Sequence, residues 1–144
     1  EFTDILKLSR VDLGWLLPDE ALAGAAARLL EAGPQVGVVT CSDQGARLFT
    51  WQGEQFQPAF AVEEVDSIGA GDSFMAGFLA ELSRHGFPLS DGAALTRSLR
   101  WAAASAALNC RQPGAQPPTS REVAAFLATQ PPYSASPPGP EPQP

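Results

Sequence analysis

Lysine is almost missing from this chain: among 144 residues only Lys7 carries an ammonium, against 16 acidic side chains and a formal net charge of −7. That balance leaves no basic face to hold a polyanion, so nucleic acid is not an expected partner. A mononucleotide stays open, because backbone N–H groups hold phosphates without net positive charge. Soft and imidazole ligands are equally scarce. Cys41, Cys110 and His85 are too few for a zinc site or a disulfide framework, and a reducing, cytoplasmic setting is the expectation that fits them. No apolar run approaches the roughly 18 residues of a membrane-spanning helix, so no membrane association is expected. The start shows no basic leader followed by an apolar stretch, hence no sign of secretion. Glu1-Phe2-Thr3-Asp4 instead runs straight into an apolar segment, an abrupt opening that suggests part of a longer protein.

The rest is the composition of one compact domain, 44% hydrophobic and 17% charged. Ile5 to Leu8 reads as a buried strand. Val11 to Leu17 reads as one or two helical turns stopped by Pro18. Asp19 and Glu20 favour the start of a second, alanine-rich helix that runs through Glu31 to the stop at Gly33-Pro34. The β-branched run Val36 to Thr40 is a second buried strand, and a strand–helix–strand unit of this kind implies a parallel crossover and an α/β layer. A turn at Ser42 to Gly45 leads to two short strands, Ala46 to Trp51 and Phe56 to Val62, joined around Gln52-Gly53-Glu54. The second half is helical. Gly71 to Arg84 carries an apolar stripe; a helix capped by Ser90 runs to just before Pro113-Gly114, its alanines implying close packing; Thr119 and Glu122 form a capping box that opens the last helix. From Pro131 to Pro144 half the residues are proline, and a disordered tail is expected.

The most informative stretch is Asp66-Ser67-Ile68-Gly69-Ala70-Gly71-Asp72-Ser73-Phe74, small residues that lead directly into an amphipathic helix. The first helical turn presents unpaired N–H groups and the positive end of the helix dipole, and a loop without bulky side chains lets an anion reach them. Gly69, Ala70 and Gly71 form that candidate anion site. Asp72 follows on the first turn, where a carboxylate can accept a proton from an attacking hydroxyl while amides hold a phosphoryl group in line. Taken alone, the same string also suits a plain helix start, because aspartate is favoured near any helix N-terminus.

The longer string DSIGAGDSF, followed by MAGFLAEL, resembles the second signature of the ribokinase and phosphofructokinase-B type carbohydrate kinases, usually D-T-x-G-A-G-D. The resemblance implies a ribokinase-like three-layer α/β fold, Rossmann-like, with a mostly parallel sheet flanked by helices. It also implies an anion hole at Gly69, Ala70 and Gly71 and a catalytic base at Asp72. VVTCSDQGARLF resembles the family's V-T-x-G-x-x-G-A strand and turn, which implies that Thr40, Cys41, Ser42, Asp43, Gln44 and Gly45 border ATP. Ser42 stands where glycine is usual, and a serine there crowds the approach if the backbone needs positive φ. RWAAASAALNCRQPGAQ resembles the late helix beside the adenine and implies that Ala103 faces the base; helix packing alone also accounts for an alanine stripe. DILKLSRVDLGWLL resembles the fructokinase-like branch, with Asp12 in place of the glutamate of K-x-S-x-x-E, an acid implied to organise Mg2+ through water. Asp66, Ile68, Asn109, Gln112 and Gly114 map onto the loop pair that in relatives holds a monovalent cation such as K+.

The resemblance covers Asp4 to Leu127 but only the C-terminal part of the family's domain. Residues 1–130 are thus expected to hold the nucleotide site and base, without the early strands, sugar-binding residues and lid. A sheet short of its early strands would expose an edge and apolar surface, so the isolated piece is expected to be marginal or to associate. The leading expectation is ATP-dependent transfer to a sugar hydroxyl, fructokinase-like, with ATP, Mg2+ and a small sugar as partners. A nucleoside or other small-alcohol kinase of the same fold stays open, as do a truncated nucleotide-binding chain without turnover, an unrelated α/β binding module and a homodimer.

Overall fold

The computed structural model describes residues 3–133. Strand β1 (Ile5–Ser9) is followed by helices α1 (Arg10–Leu16) and α2 (Leu22–Glu31), strand β2 (Val36–Thr40), a 3₁₀ turn at Ser42–Gln44, and the strands β3 (Ala46–Thr50) and β4 (Gly53–Gln57). Helices α3 (Ala70–Ser83), α4 (Gly92–Cys110) and α5 (Ser120–Thr129) complete the chain. The sheet order is β1-β2-β3-β4. β1 and β2 pair in parallel, as the intervening helices require, while β2–β3 and β3–β4 are antiparallel hairpin partners, so the sheet of this chain is mixed.

Side chains alternate across β2 and split the core in two. Val36 and Val38 join Ala46 and Leu48 against Phe74, Phe78 and Leu82 of α3 and Leu95, Leu99 and Ala102 of α4. Val39, Cys41 and Phe49 face the other way, against Leu13 of α1 and Leu22, Ala25, Ala26 and Leu30 of α2. The result is three layers, helices over both faces of the sheet. Burying a side chain such as Phe78 or Leu82, both fully enclosed, favours folding by about 1.5–3 kcal/mol before the entropy of ordering it. The small residues of α4 allow the close approach anticipated for them: a Cβ built on Gly77 of α3 would lie 3.3 Å from Ala102 Cα and would clash with Ser105.

Three local expectations are corrected. The hairpin turns at Trp51-Gln52, not around Gln52-Gly53-Glu54, and its second strand spans Gly53–Gln57, leaving residues 58–62 outside any strand. The register pairs Thr50 with Gly53, so the tighter turn wins by extending the ladder. The cap of α4 is Asp91, not Ser90, because its carboxylate accepts from the N–H groups of Ala93 and Ala94. The capping box of α5 is present as expected, with Thr119 and Glu122 bonded reciprocally. The start of the expected tail is docked: Arg100 Nη2 donates to Pro131 O at 2.6 Å, and the Tyr133 hydroxyl donates to Phe56 O. The rest of the tail lies outside the described residues. Cys41 and Cys110 form no disulfide, and no helix among the described residues is long and apolar enough to cross a membrane.

Candidate active site

Gly69 is the N-cap of α3 at φ 78°, a left-handed conformation that an L side chain adopts only under strain. Space forbids a side chain there as well, since a Cβ on Gly69 would lie 2.6 Å from Ala115 Cβ. A glycine cap has no side chain to satisfy the helix start, so the first-turn donors are left to other partners. Ala70 N–H donates to Ser67 O at 3.1 Å and Ser73 N–H to Gly69 O at 2.9 Å, but Gly71 N–H and Asp72 N–H find no acceptor among the described residues. Of the three amides read as an anion hole, that of Ala70 is therefore already engaged, those of Gly69 and Gly71 have no acceptor among the described residues, and Asp72 N–H adds an unpartnered donor next to Gly71. The Asp72 side chain is exposed on the same turn. Two convergent donors, the positive end of a 14-residue helix and a carboxylate beside them form a place where a phosphoryl group and an alcohol can meet.

A buried network holds this turn. Asn109 of α4 is fully buried; its Nδ2 donates to Ile68 O at 2.8 Å, and its Oδ1 accepts from Ser73 Oγ at 3.1 Å. Asp66 accepts from Ile68 N–H through Oδ1 at 2.9 Å and from Gly114 N–H through Oδ2 at 2.8 Å. Those backbone bonds hold its carboxyl below the usual carboxylate range. Asp66, Ile68, Asn109 and Gly114 thus tie the segment before α3 to the loop after α4, and Gln112 N–H closes that loop onto Asn109 O. The carboxylate of Asp66 is thus spent on stapling the two loops.

The segment from Thr40 to Gly45 follows β2. Thr40 Oγ1 donates to Leu8 O of β1, Cys41 is buried among the α2-side residues, and Ser42, Asp43 and Gln44 are exposed. Ser42 sits at φ 51°, so the backbone does require the conformation for which glycine is usual, and serine carries the strain. Gly45 at φ 111° is bound by contact too, because a Cβ there would lie 2.1 Å from Gln57 O. Ala103 is buried in the core with Val38 and Phe74, a packing role. Asp12 Oδ2 accepts from Ser9 N–H at 3.0 Å and Ser9 Oγ at 2.7 Å in a capping box on α1, and these bonds lower its pKa. Its Oδ1 takes no hydrogen bond among the described residues.

Two residues escaped the sequence reading. Ser73 is hidden in any helical stripe until Asn109 is seen beside it. Lys7 is the other: a Cβ on Gly71 would lie 3.0 Å from its Nζ, which places the ammonium against the first turn of α3. Two signals were available: Lys7 is the lysine of the K-x-S-x-x-E string, and it shares one side of its strand with Ile5, the other side carrying Leu6 and Leu8.

The pfkB family carbohydrate kinase profile matches residues 1–122. Fructokinase-1 of Zea mays is 32% identical over 123 residues, covering 83% of this chain and 38% of that protein. A double mutant of the fructokinase of Vibrio cholerae O395, solved with fructose, ADP and potassium ion, superposes with a TM-score of 0.78 at 28% identity, over 86% of this chain and 40% of that one. A putative ribokinase II from E. coli in complex with ATP and Mg2+ gives 0.76 at 28% identity, over 89% and 40%. The chain spans about two fifths of the length of these relatives. Kinship in sequence and in fold covers the same residues that build the α3 turn, and the chain belongs to the pfkB family of carbohydrate kinases.

Proposed function

We propose that this chain is the nucleotide-binding and proton-accepting part of an ATP-dependent sugar kinase, fructokinase-like, which moves the γ-phosphoryl group of ATP onto a sugar hydroxyl. The observation that carries the reading is the pair of unpartnered amides at Gly71 and Asp72 beside an exposed carboxylate. In the transition state charge spreads over the phosphoryl oxygens, and fixed donors aimed there favour it over the ground state. Asp72 takes the proton of the attacking hydroxyl as the oxygen–phosphorus bond forms and the bond to ADP breaks. The exposed turn at Ser42, Asp43 and Gln44 borders the nucleotide. Among the described residues no three acidic, histidine or cysteine side chains gather into a metal site, an arrangement that suits a divalent ion held mainly by phosphates and water. Asp12, through its uncommitted Oδ1, is the residue suited to steady Mg2+ there, and the ion would neutralise phosphate charge. The carbonyls of Asp66, Ile68, Gln112 and Gly114, with Asn109 fixing that of Ile68, suit K+.

In the full-length protein carrying this sequence, Asp72→Asn is expected to lower kcat by about 100-fold or more while ATP affinity changes by less than about threefold, since proton acceptance is lost and the amides stay. Comparable turnover in the variant would end the base assignment. A panel of free sugars and nucleosides as acceptors would place the substrate class.

A further inference from the structure

The chain that leaves β4 is poorly tied by its own backbone. From Ala59 to Glu64 it makes no backbone–backbone hydrogen bond among the described residues, and most of these residues are exposed. Yet the start of this segment meets the closing glycine of the turn at 42–45: a Cβ on Gly45 would lie 2.7 Å from Ala59 N and 2.8 Å from Pro58 C. Ser42, Asp43 and Gln44 are exposed, so the turn leans on the molecule at Gly45. The bend that brings the two together is under-bonded as well. Gln57 is fully buried; its Nε2 donates to Pro58 O at 2.8 Å, while its Oε1 finds no partner among the described residues. An orphaned acceptor costs free energy, so the bend is held by contacts from elsewhere rather than by its own bonds.

Those contacts come from the segment after α5. The Tyr133 hydroxyl donates to Phe56 O across 77 residues of sequence, just before the bend. Just after it, the ring of Phe60 meets the Arg100 guanidinium at 5.2 Å and the ring of Phe126 edge-on at 5.3 Å. Arg100 Nη2 also donates to Pro131 O at 2.6 Å, which ties the two grips into one strap. Pro131 and Pro132 fix φ and stiffen it.

We propose that Arg100 and Tyr133 are positioning residues of the nucleotide site: through the strap Pro131–Tyr133 they press the exit of β4 onto Gly45 and so fix the turn at Ser42, Asp43 and Gln44 for ATP. The inference rests on the kinase reading above, in which that turn borders the nucleotide. Neither side chain belongs to the α3 turn, so the effect falls on ATP binding.

Calorimetric titration with ATP and hydrogen–deuterium exchange of the full-length protein carrying this sequence test this, for wild type, Tyr133→Phe, Arg100→Met and Arg100→Lys. Tyr133→Phe keeps the ring and is expected to weaken ATP by about 2- to 10-fold, the scale of one hydrogen bond. Arg100→Met, which loses the Pro131 bond and the Phe60 contact together, is expected to weaken it further, and Arg100→Lys, which keeps a cationic donor, to recover part of that loss. The amides of Gln44 and Gly45, bonded to Cys41 O and Ser42 O, are expected to exchange faster in Tyr133→Phe and Arg100→Met, while those within α3 keep wild-type rates. A strap with only a structural role would give faster exchange confined to β4 and residues 130–133, with ATP affinity unchanged. That pattern would overturn the proposal and leave the kinase reading intact. Wild type that binds no ATP would take down both.

Discussion

Two left-handed turns carry the residues assigned to the candidate site, and they are held in opposite ways. The turn at Gly69 is clamped from inside: buried Asn109 bonds Ile68 O, Ser73 bonds Asn109, Asp66 staples Gly114, and Ala115 presses on the glycine itself. The turn at Ser42 lies open. Its residues 42–44 are exposed, its cross-link is the Arg10–Gln44 contact at 3.3 Å, and its left-handed residue is not a glycine. The lesson is one of support. The α3 turn is set in a frame of hydrogen bonds to a buried asparagine, as the donors proposed for phosphoryl transfer require, whereas the turn at Ser42, proposed to border the nucleotide, carries solvent exposure and strain.

The sharpest way to break that contrast is to remove the internal clamp. Asn109→Ala is expected to cost about 2–4 kcal/mol by urea denaturation, since it deletes one buried and one part-buried hydrogen bond of a fully buried side chain and leaves the buried Ser73 hydroxyl without its acceptor. Gln44→Ala, in the open turn, is expected to stay within about 0.5 kcal/mol. Equal losses would erase the distinction between the turns. A pH series sharpens it further. The pKa of Asp66 is lower folded than unfolded, so its stapling contribution is present above the unfolded carboxylate range and is lost as pH falls through the folded value. The Tm gap between wild type and Asp66→Asn is therefore expected to hold steady above about pH 5 and to close as pH drops below about 4. A gap that persists in acid would mean the carboxylate charge is not what ties the two loops. The open turn should even gain from a change: Ser42→Gly is expected to stabilise by up to about 1 kcal/mol, because relief of the left-handed serine exceeds the extra freedom of unfolded glycine. Destabilisation would show that the serine side chain contributes to the turn.

Much of this architecture is legible along the chain. The strand from Ile5, the run Val36 to Thr40, the stop at Pro18 and the Thr119–Glu122 box all act through neighbours a few residues away, and all stand where the pattern puts them. The string from Asp66 to Phe74 likewise announces a helix start stripped of bulk. The misplacements are close contests between local options. Ser90 and Asp91 are both good caps, and the choice fell to the one whose carboxylate reaches two amides. The hairpin offered two turns, and pairing of Thr50 with Gly53 decided between them.

What the amino-acid order determined by itself is the set of elements and the identity of the small-residue turn that opens α3, because helix periodicity, caps and small residues before a helix are properties of segments shorter than about 20 residues. Tertiary structure alone decided which first-turn amides are left over, that Asn109 and Ser73 lock the turn from 36 residues apart, and that Lys7 lies against Gly71. Those facts depend on a strand, a loop and two helices meeting in space, and such contacts are set by burial and register across the sheet, which no local window contains.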